Sequence, residues 1–154
     1  MSRASPNIPL NSMPHPRPIP AWLRTAAWLA VFAWAATIHW ASSRTGPEIE
    51  ALNIFDVWDK AAHFAAFCAG GPPLFLALCW SFDWPRRKVL LLAIATLALY
   101  GAADEYHQLH TPNRTGADVL DWAADALGGI AGTLATAFIH ARAKITHRPP
   151  PARD

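Results

Sequence analysis

Four stretches of this chain are long enough and apolar enough to cross a lipid bilayer, at about residues 21–41, 60–82, 89–106 and 119–141. A helix rising about 1.5 Å per residue needs roughly 20 apolar residues to traverse a hydrocarbon layer. In that layer each backbone N–H and C=O must be satisfied inside the protein, so spans without strand alternation have to be helices. The predicted fold is therefore all-α, an integral membrane four-helix bundle. Composition agrees. Apolar residues make up 53% of the 154, eight are tryptophan, and only 16% are charged, against about 25% in soluble domains. The net charge of +2 comes from basic residues placed beside apolar segments, not along one amphipathic face. That placement suits a bilayer as partner and excludes nucleic acid.

The segments between the spans are punctuated clearly. Residues 1–20 hold six prolines and no apolar run, which predicts a disordered or polyproline-like tail. A cleaved signal peptide is the alternative for the first apolar segment, with Arg17 and Arg24 as its basic region and a processing site near Trp40-Ala41-Ser42. Residues 42–58 form a polar connection. Gly70-Gly71-Pro72-Pro73 interrupts the second span, where two prolines remove donors and predict a kink. Asp83-Trp84-Pro85-Arg86-Arg87-Lys88 is a short positive turn, and residues 142–154 are a basic, proline-rich tail. Gly128 and Gly132, with Ala124 one turn earlier, make a small-residue stripe on the fourth span. Such a stripe admits a close helix neighbour and offers a face for a homo-oligomer. Cys68 and Cys79 lie on one segment about 16 Å apart as a helix, too far to bridge, and are expected to be fillers.

Orientation follows from charge. Ten of the 13 Lys and Arg fall on one side of the predicted spans: Arg3, Arg17, Arg24, Arg86, Arg87, Lys88, Arg142, Lys144, Arg148 and Arg153. Arg44, Lys60 and Arg114 fall on the other. The positive-inside rule puts both termini in the cytoplasm. Trp22, Trp80 and Trp84 then mark the inner interface and Trp40, Trp58 and Trp122 the outer one, with His39 as an interfacial residue near the outer end.

In this frame the chemistry gathers at the outer rim. Asp59, Lys60 and His63 open the second span. Asp104, Glu105, His107 and Gln108 close the third, Arg114 lies in the loop, and Asp121 and Asp125 open the fourth. The pairs Asp59/His63, Asp104/Gln108 and Asp121/Asp125 are each i, i+4 and share a helix face. Asp125 sits about one turn inside the boundary and must point into the bundle, because ionisable groups within spans are costly. Five carboxylates (Asp59, Asp104, Glu105, Asp121, Asp125) face two fixed cations (Lys60, Arg114). Three arrangements relieve that excess: protons held by carboxylates or by His63, His107 and His110, a bound metal ion, or a salt-bridged plug. In the plug, Arg114 clamps Asp104 or Asp121 bidentately, Lys60 pairs with Glu105, and the helices are simply fastened. The i, i+3 pair His107/His110 is weak evidence for zinc. The sequence has no His-Glu-x-x-His pair, Gly-x-Ser-x-Gly elbow or phosphate-binding glycine loop.

The ordered set Asp59-Lys60-x-x-His63-Phe64-x-x-Phe67, Tyr100-Gly101-x-x-Asp104-Glu105-x-x-Gln108, Pro112-x-Arg114 and Asp121-x-x-x-Asp125-x-x-Gly128-x-x-x-Gly132 resembles the VanZ-like family of small bacterial membrane proteins. The resemblance covers residues 20–140. It implies a transmembrane domain over 21–141 in the bacterial inner membrane, and a link to low-level resistance to the glycopeptide teicoplanin. No cofactor and no resident metal are implied. The residues themselves point to a polar pocket on the outer face, and the resemblance to an envelope protein makes binding or modifying an amphiphile or an envelope precursor its expected role. Glu105, Asp125 and His63 are the acid/base candidates; Asp59, Lys60, Asp104, Gln108, Arg114 and Asp121 are the binding candidates. Proton-coupled transport or lipid flipping through the same carboxylates, and a purely structural or partner-binding bundle, are the alternatives.

Overall fold

The computed structural model describes residues 19–52 and 58–146. Among them are five helices and no strand: α1 (Ala21–Ser42), α2 (Gly46–Leu52), α3 (Asp59–Ser81), α4 (Arg86–Gln108) and α5 (Val119–Thr146). Four of these, α1, α3, α4 and α5 over Val119–Ala143, are long and apolar enough to span a membrane. They match the four expected spans to within a few residues. The expected connection after α1 contains the short helix α2. Of the predicted tails over 1–20 and 142–154, residues 1–18 and 147–154 lie outside the described residues, as do the charges Arg3, Arg17, Arg148 and Arg153 used for orientation, while 142–146 continue α5.

Proline sets where two of the helices begin. Pro20 and Pro85 precede α1 and α4 with φ near −55° and −53°, a backbone angle the ring imposes. Each supplies a carbonyl to the first turn, Pro20 to Leu23 N–H at 3.1 Å and Pro85 to Lys88 N–H at 2.8 Å.

The prolines inside α3 behave differently. Pro72 and Pro73 sit within a continuous helix, so the span runs through Gly70-Gly71-Pro72-Pro73 as one element. Pro72 has no N–H to offer the Cys68 carbonyl one turn earlier. That carbonyl lies directly against Gly132 of α5, so close that a Cβ at 132 would overlap its oxygen. A Cα–H facing a carbonyl is a weak donor, and here it replaces part of what proline withholds. The same closeness repeats along the contact. A Cβ at Gly128 would strike the Phe64 carbonyl, and one at Gly71 the backbone of Gly132 and Thr133. The Gly128/Gly132 stripe is thus packed against α3 of the same chain.

Helix α1 is held to this pair by hydrogen bonds from its own aromatic residues and from α4. Trp34 Nε1 donates to Ala66 O at 2.8 Å and Trp28 Nε1 to Ser81 Oγ at 2.9 Å, while Tyr100 Oη donates to Ala35 O at 2.8 Å. Gly70 leaves the room that the Trp34 indole fills. The core is Phe67, Leu74, Phe75, Leu78, Val89, Ala93, Leu97 and Ala137. Outside it, Leu29, Phe32, Leu91, Leu99, Leu127, Leu134, Phe138 and Ile139 are exposed around the bundle. So much outward apolar surface would be a liability in water and is the ordinary surface of a protein in lipid. Cys68 and Cys79 are free thiols, as expected.

Candidate functional site

The polar residues of α3, α4 and α5 collect at one end of the bundle in two connected limbs. The first runs from α1 to the loop after α4. Ser42 Oγ donates to Asp104 Oδ1, Gln108 Nε2 donates to Asp104 Oδ2 at 2.9 Å, and Arg114 reaches Gln108 Oε1 through Nη2 at 2.6 Å and Nε at 3.3 Å. Thr111 Oγ1 donates to Ser42 O at 3.1 Å and closes the circuit. Asp104 and Gln108 share an α4 face because they are four apart, as the sequence required.

The second limb centres on Lys60 and His63. Lys60 Nζ lies 2.8 Å from Asp118 Oδ2, 2.5 Å from Asp121 Oδ1 and 3.5 Å from Asp59 Oδ2. His63 Nδ1 lies 3.0 Å from Asp125 Oδ1, and its Nε2 is 3.9 Å from Asp59 Oδ1. Glu105 Oε2 accepts the Asp118 N–H at 3.0 Å, and Glu105 O accepts the Ala117 N–H at 3.2 Å. The carboxylates are deep: Asp104 is 7% exposed, Glu105 4%, Asp121 3% and Asp125 0%. Asp59 is the exception and is exposed.

Between α1, α3 and α4 these limbs border a cavity of about 150 Å³. Ile38, Ala41, Ala62, Ala66 and Phe67 give it apolar walls, and Ile49 of α2 adds to them. Ser42, Asp59, His63, Asp104, Gln108 and Arg114 supply its polar lining. Of the three acid/base candidates, only His63 lines the cavity; Glu105 and Asp125 stand behind it.

Two pairings expected in the salt-bridged plug are corrected. Arg114 clamps neither Asp104 nor Asp121; it holds the Gln108 amide, which in turn holds Asp104. Lys60 pairs with Asp118 and Asp121, not Glu105. His107 and His110 stand apart from the carboxylates. His107 Nε2 is 3.1 Å from Ser43 Oγ with its ring 4.8 Å from that of His39, and His110 Nδ1 is 3.0 Å from Tyr106 O. Ser42, Thr111 and Asp118 are site residues that the sequence motifs did not single out. Asp118 had a signal available: an aspartate just before an apolar run is a helix cap, and its Oδ1 accepts the Leu120 N–H at 2.8 Å.

The Lys60 ammonium, followed by that Leu120 amide, holds the Asp118 carboxyl below the usual carboxylate range. A depressed folded-state pKa contributes stability that is present above the unfolded value and lost as pH falls through the folded one. The melting temperature of the purified protein in micelles should therefore exceed that of Asp118→Asn near neutral pH. The gap should close below about pH 3.9, the unfolded carboxylate value. A gap that stays constant over that range would show that the Lys60–Asp118 link contributes nothing.

Long apolar helices around a one-ended carboxylate site define a multi-pass membrane protein. Within that class the chain belongs to the VanZ/LLP1 family, whose model matches residues 14–140. Neither the curated proteins nor the solved structures include a match to it.

Proposed function

We propose that this is a bacterial inner-membrane protein with both termini in the cytoplasm, whose cavity at the extracytoplasmic end binds or chemically modifies an amphiphilic envelope molecule. The observation that carries the reading is the cavity's make-up. Apolar walls meet a polar lining, and the histidine in that lining is backed by a fully buried aspartate. An amphiphile presents the same division of surface. Its apolar part matches Ile38, Ala62, Ala66 and Phe67, and an anionic headgroup matches Arg114, whose remaining N–H groups are not needed by Gln108. Asp125 fixes the tautomer and orientation of His63, leaving His63 to exchange a proton with whatever fills the cavity. The orientation rests on the ten-to-three division of basic residues along the chain. The family association with teicoplanin makes altered envelope chemistry the expected phenotype. The unbroken run of hydrogen bonds through Ser42, Asp104, Gln108 and Arg114 favours a second role alongside the first, that of fastening α1 to the loop after α4.

The test is lipid profiling of a deletion strain restored with the wild-type chain, with His63→Gln, or with Ala62→Trp, which fills the cavity. Both variants should insert at normal abundance and leave the profile of the deletion strain. Full restoration by His63→Gln would remove proton exchange at His63, and full restoration by both would remove the cavity from the function.

A further inference from the structure

Behind the cavity wall, His63 of α3, Glu105 of α4 and Asp125 of α5 converge, each offering a ligand atom within 4.8 Å of those of the other two. Their hydrogen bonds engage only one oxygen of each carboxylate. Glu105 Oε2 takes the Asp118 N–H and Asp125 Oδ1 faces His63 Nδ1, both at 3.0 Å. Glu105 Oε1 and Asp125 Oδ2 are buried with no hydrogen-bond partner, in residues 4% and 0% exposed. Buried carboxylate oxygens left unpaired are costly and call for a partner. Nor is Lys60 free to supply one, since its ammonium is shared among Asp118, Asp121 and Asp59.

The direction of these oxygens is given by Gly101. A Cβ there would lie 3.0 Å from Asp125 Oδ2, and Glu105 is one turn further along the same face of α4. The unpartnered oxygen of Asp125 is thus turned toward the helix face that carries Glu105. We propose that His63, Glu105 and Asp125 bind a divalent first-row transition ion of the Mn²⁺ or Zn²⁺ type. One imidazole nitrogen with two carboxylates is a mixed donor set that suits these borderline ions better than Ca²⁺ or Mg²⁺. The ion takes the place of the proton between His63 Nδ1 and Asp125, and the ring proton then sits on Nε2, on the Asp59 side. The local charge fits: Asp59, Asp104, Glu105, Asp118, Asp121 and Asp125 surround only Lys60 and Arg114.

The ion would sit at the back of the proposed amphiphile cavity, but its binding is measured without any amphiphile, so the two proposals fail separately. The full-length protein in detergent micelles is dialysed against Zn²⁺ or Mn²⁺, and bound metal is counted by elemental analysis and, for Mn²⁺, by EPR. About one ion per chain is expected. Glu105→Gln and Asp125→Asn should each weaken binding at least as much as the roughly 10–100-fold lost when a supporting partner of a metal site is removed. Helicity by circular dichroism should be unchanged. Asp83→Asn, an exposed change in the turn between α3 and α4 at the other end of the bundle, should leave the affinity within about threefold. Absence of binding by a helical wild-type protein overturns the site. So does binding that survives Glu105→Gln, or an Asp83→Asn loss as large as that of Glu105→Gln.

Discussion

Gly128→Val is expected to keep the bundle from assembling. The contact between α3 and α5 is built backbone to backbone, with the Phe64 carbonyl where a side chain at 128 would have to go. A flexible side chain could swing aside, but a helix carbonyl cannot move without its whole turn. Overpacking a well-fitted core costs roughly 1–3 kcal/mol, and here the obstruction is main chain, so the upper end of that range is the minimum expected. The measurement is steady-state abundance in membranes together with thermal unfolding in micelles. Leu127→Val, one residue away on the exposed surface, serves as the comparison and should behave like wild type. A Gly128→Val chain with wild-type abundance and melting would mean that the two helices do not meet as described.

Lys60→Met should be the most damaging single change within the polar end. Asp121 is 3% exposed and its charge is balanced by the Lys60 ammonium at 2.5 Å. Removing one partner of a buried pair leaves the other charge uncompensated, at a cost of about 3 kcal/mol here, the low end for such pairs because the lysine is partly exposed. Adding Asp121→Asn to the same chain should recover most of the loss, since the uncompensated charge disappears with it. If Lys60→Met alone melts at the wild-type temperature, the ammonium does not neutralise Asp121.

How much of this was legible in the sequence can be judged residue by residue. Hydropathy reports the environment of each segment in turn, so the four spans and the clustering of Asp59, Glu105 and Asp125 toward one end could be read from it. The i, i+4 rule placed Asp104 with Gln108 correctly because both lie on one rigid helix. Partners across helices were another matter. Charge alone allows Arg114 to clamp a carboxylate, whereas the loop, bonded at Thr111 to the end of α1, carries its guanidinium to the Gln108 amide. Charge alone also allows Lys60 to pair with Glu105, but the side-by-side register of α3 and α5 presents Asp118 and Asp121 instead. That register is set by Phe64 and Cys68 against Gly128 and Gly132, and charge counting does not contain it. The proline pair sits inside an unbroken helix for a related reason. Whether a freed carbonyl ends a helix depends on what lies opposite, and at Cys68 that is Gly132.

The polar lining and its cavity occupy one end of the molecule, and beyond Phe67 the interior is closed by Leu74, Phe75, Leu78, Val89 and Leu97. Such a vestibule has a hydrocarbon back wall and a single doorway. The architecture is that of a cul-de-sac, and the amphiphile proposed for it would be taken up and handed back at the same end of the bundle.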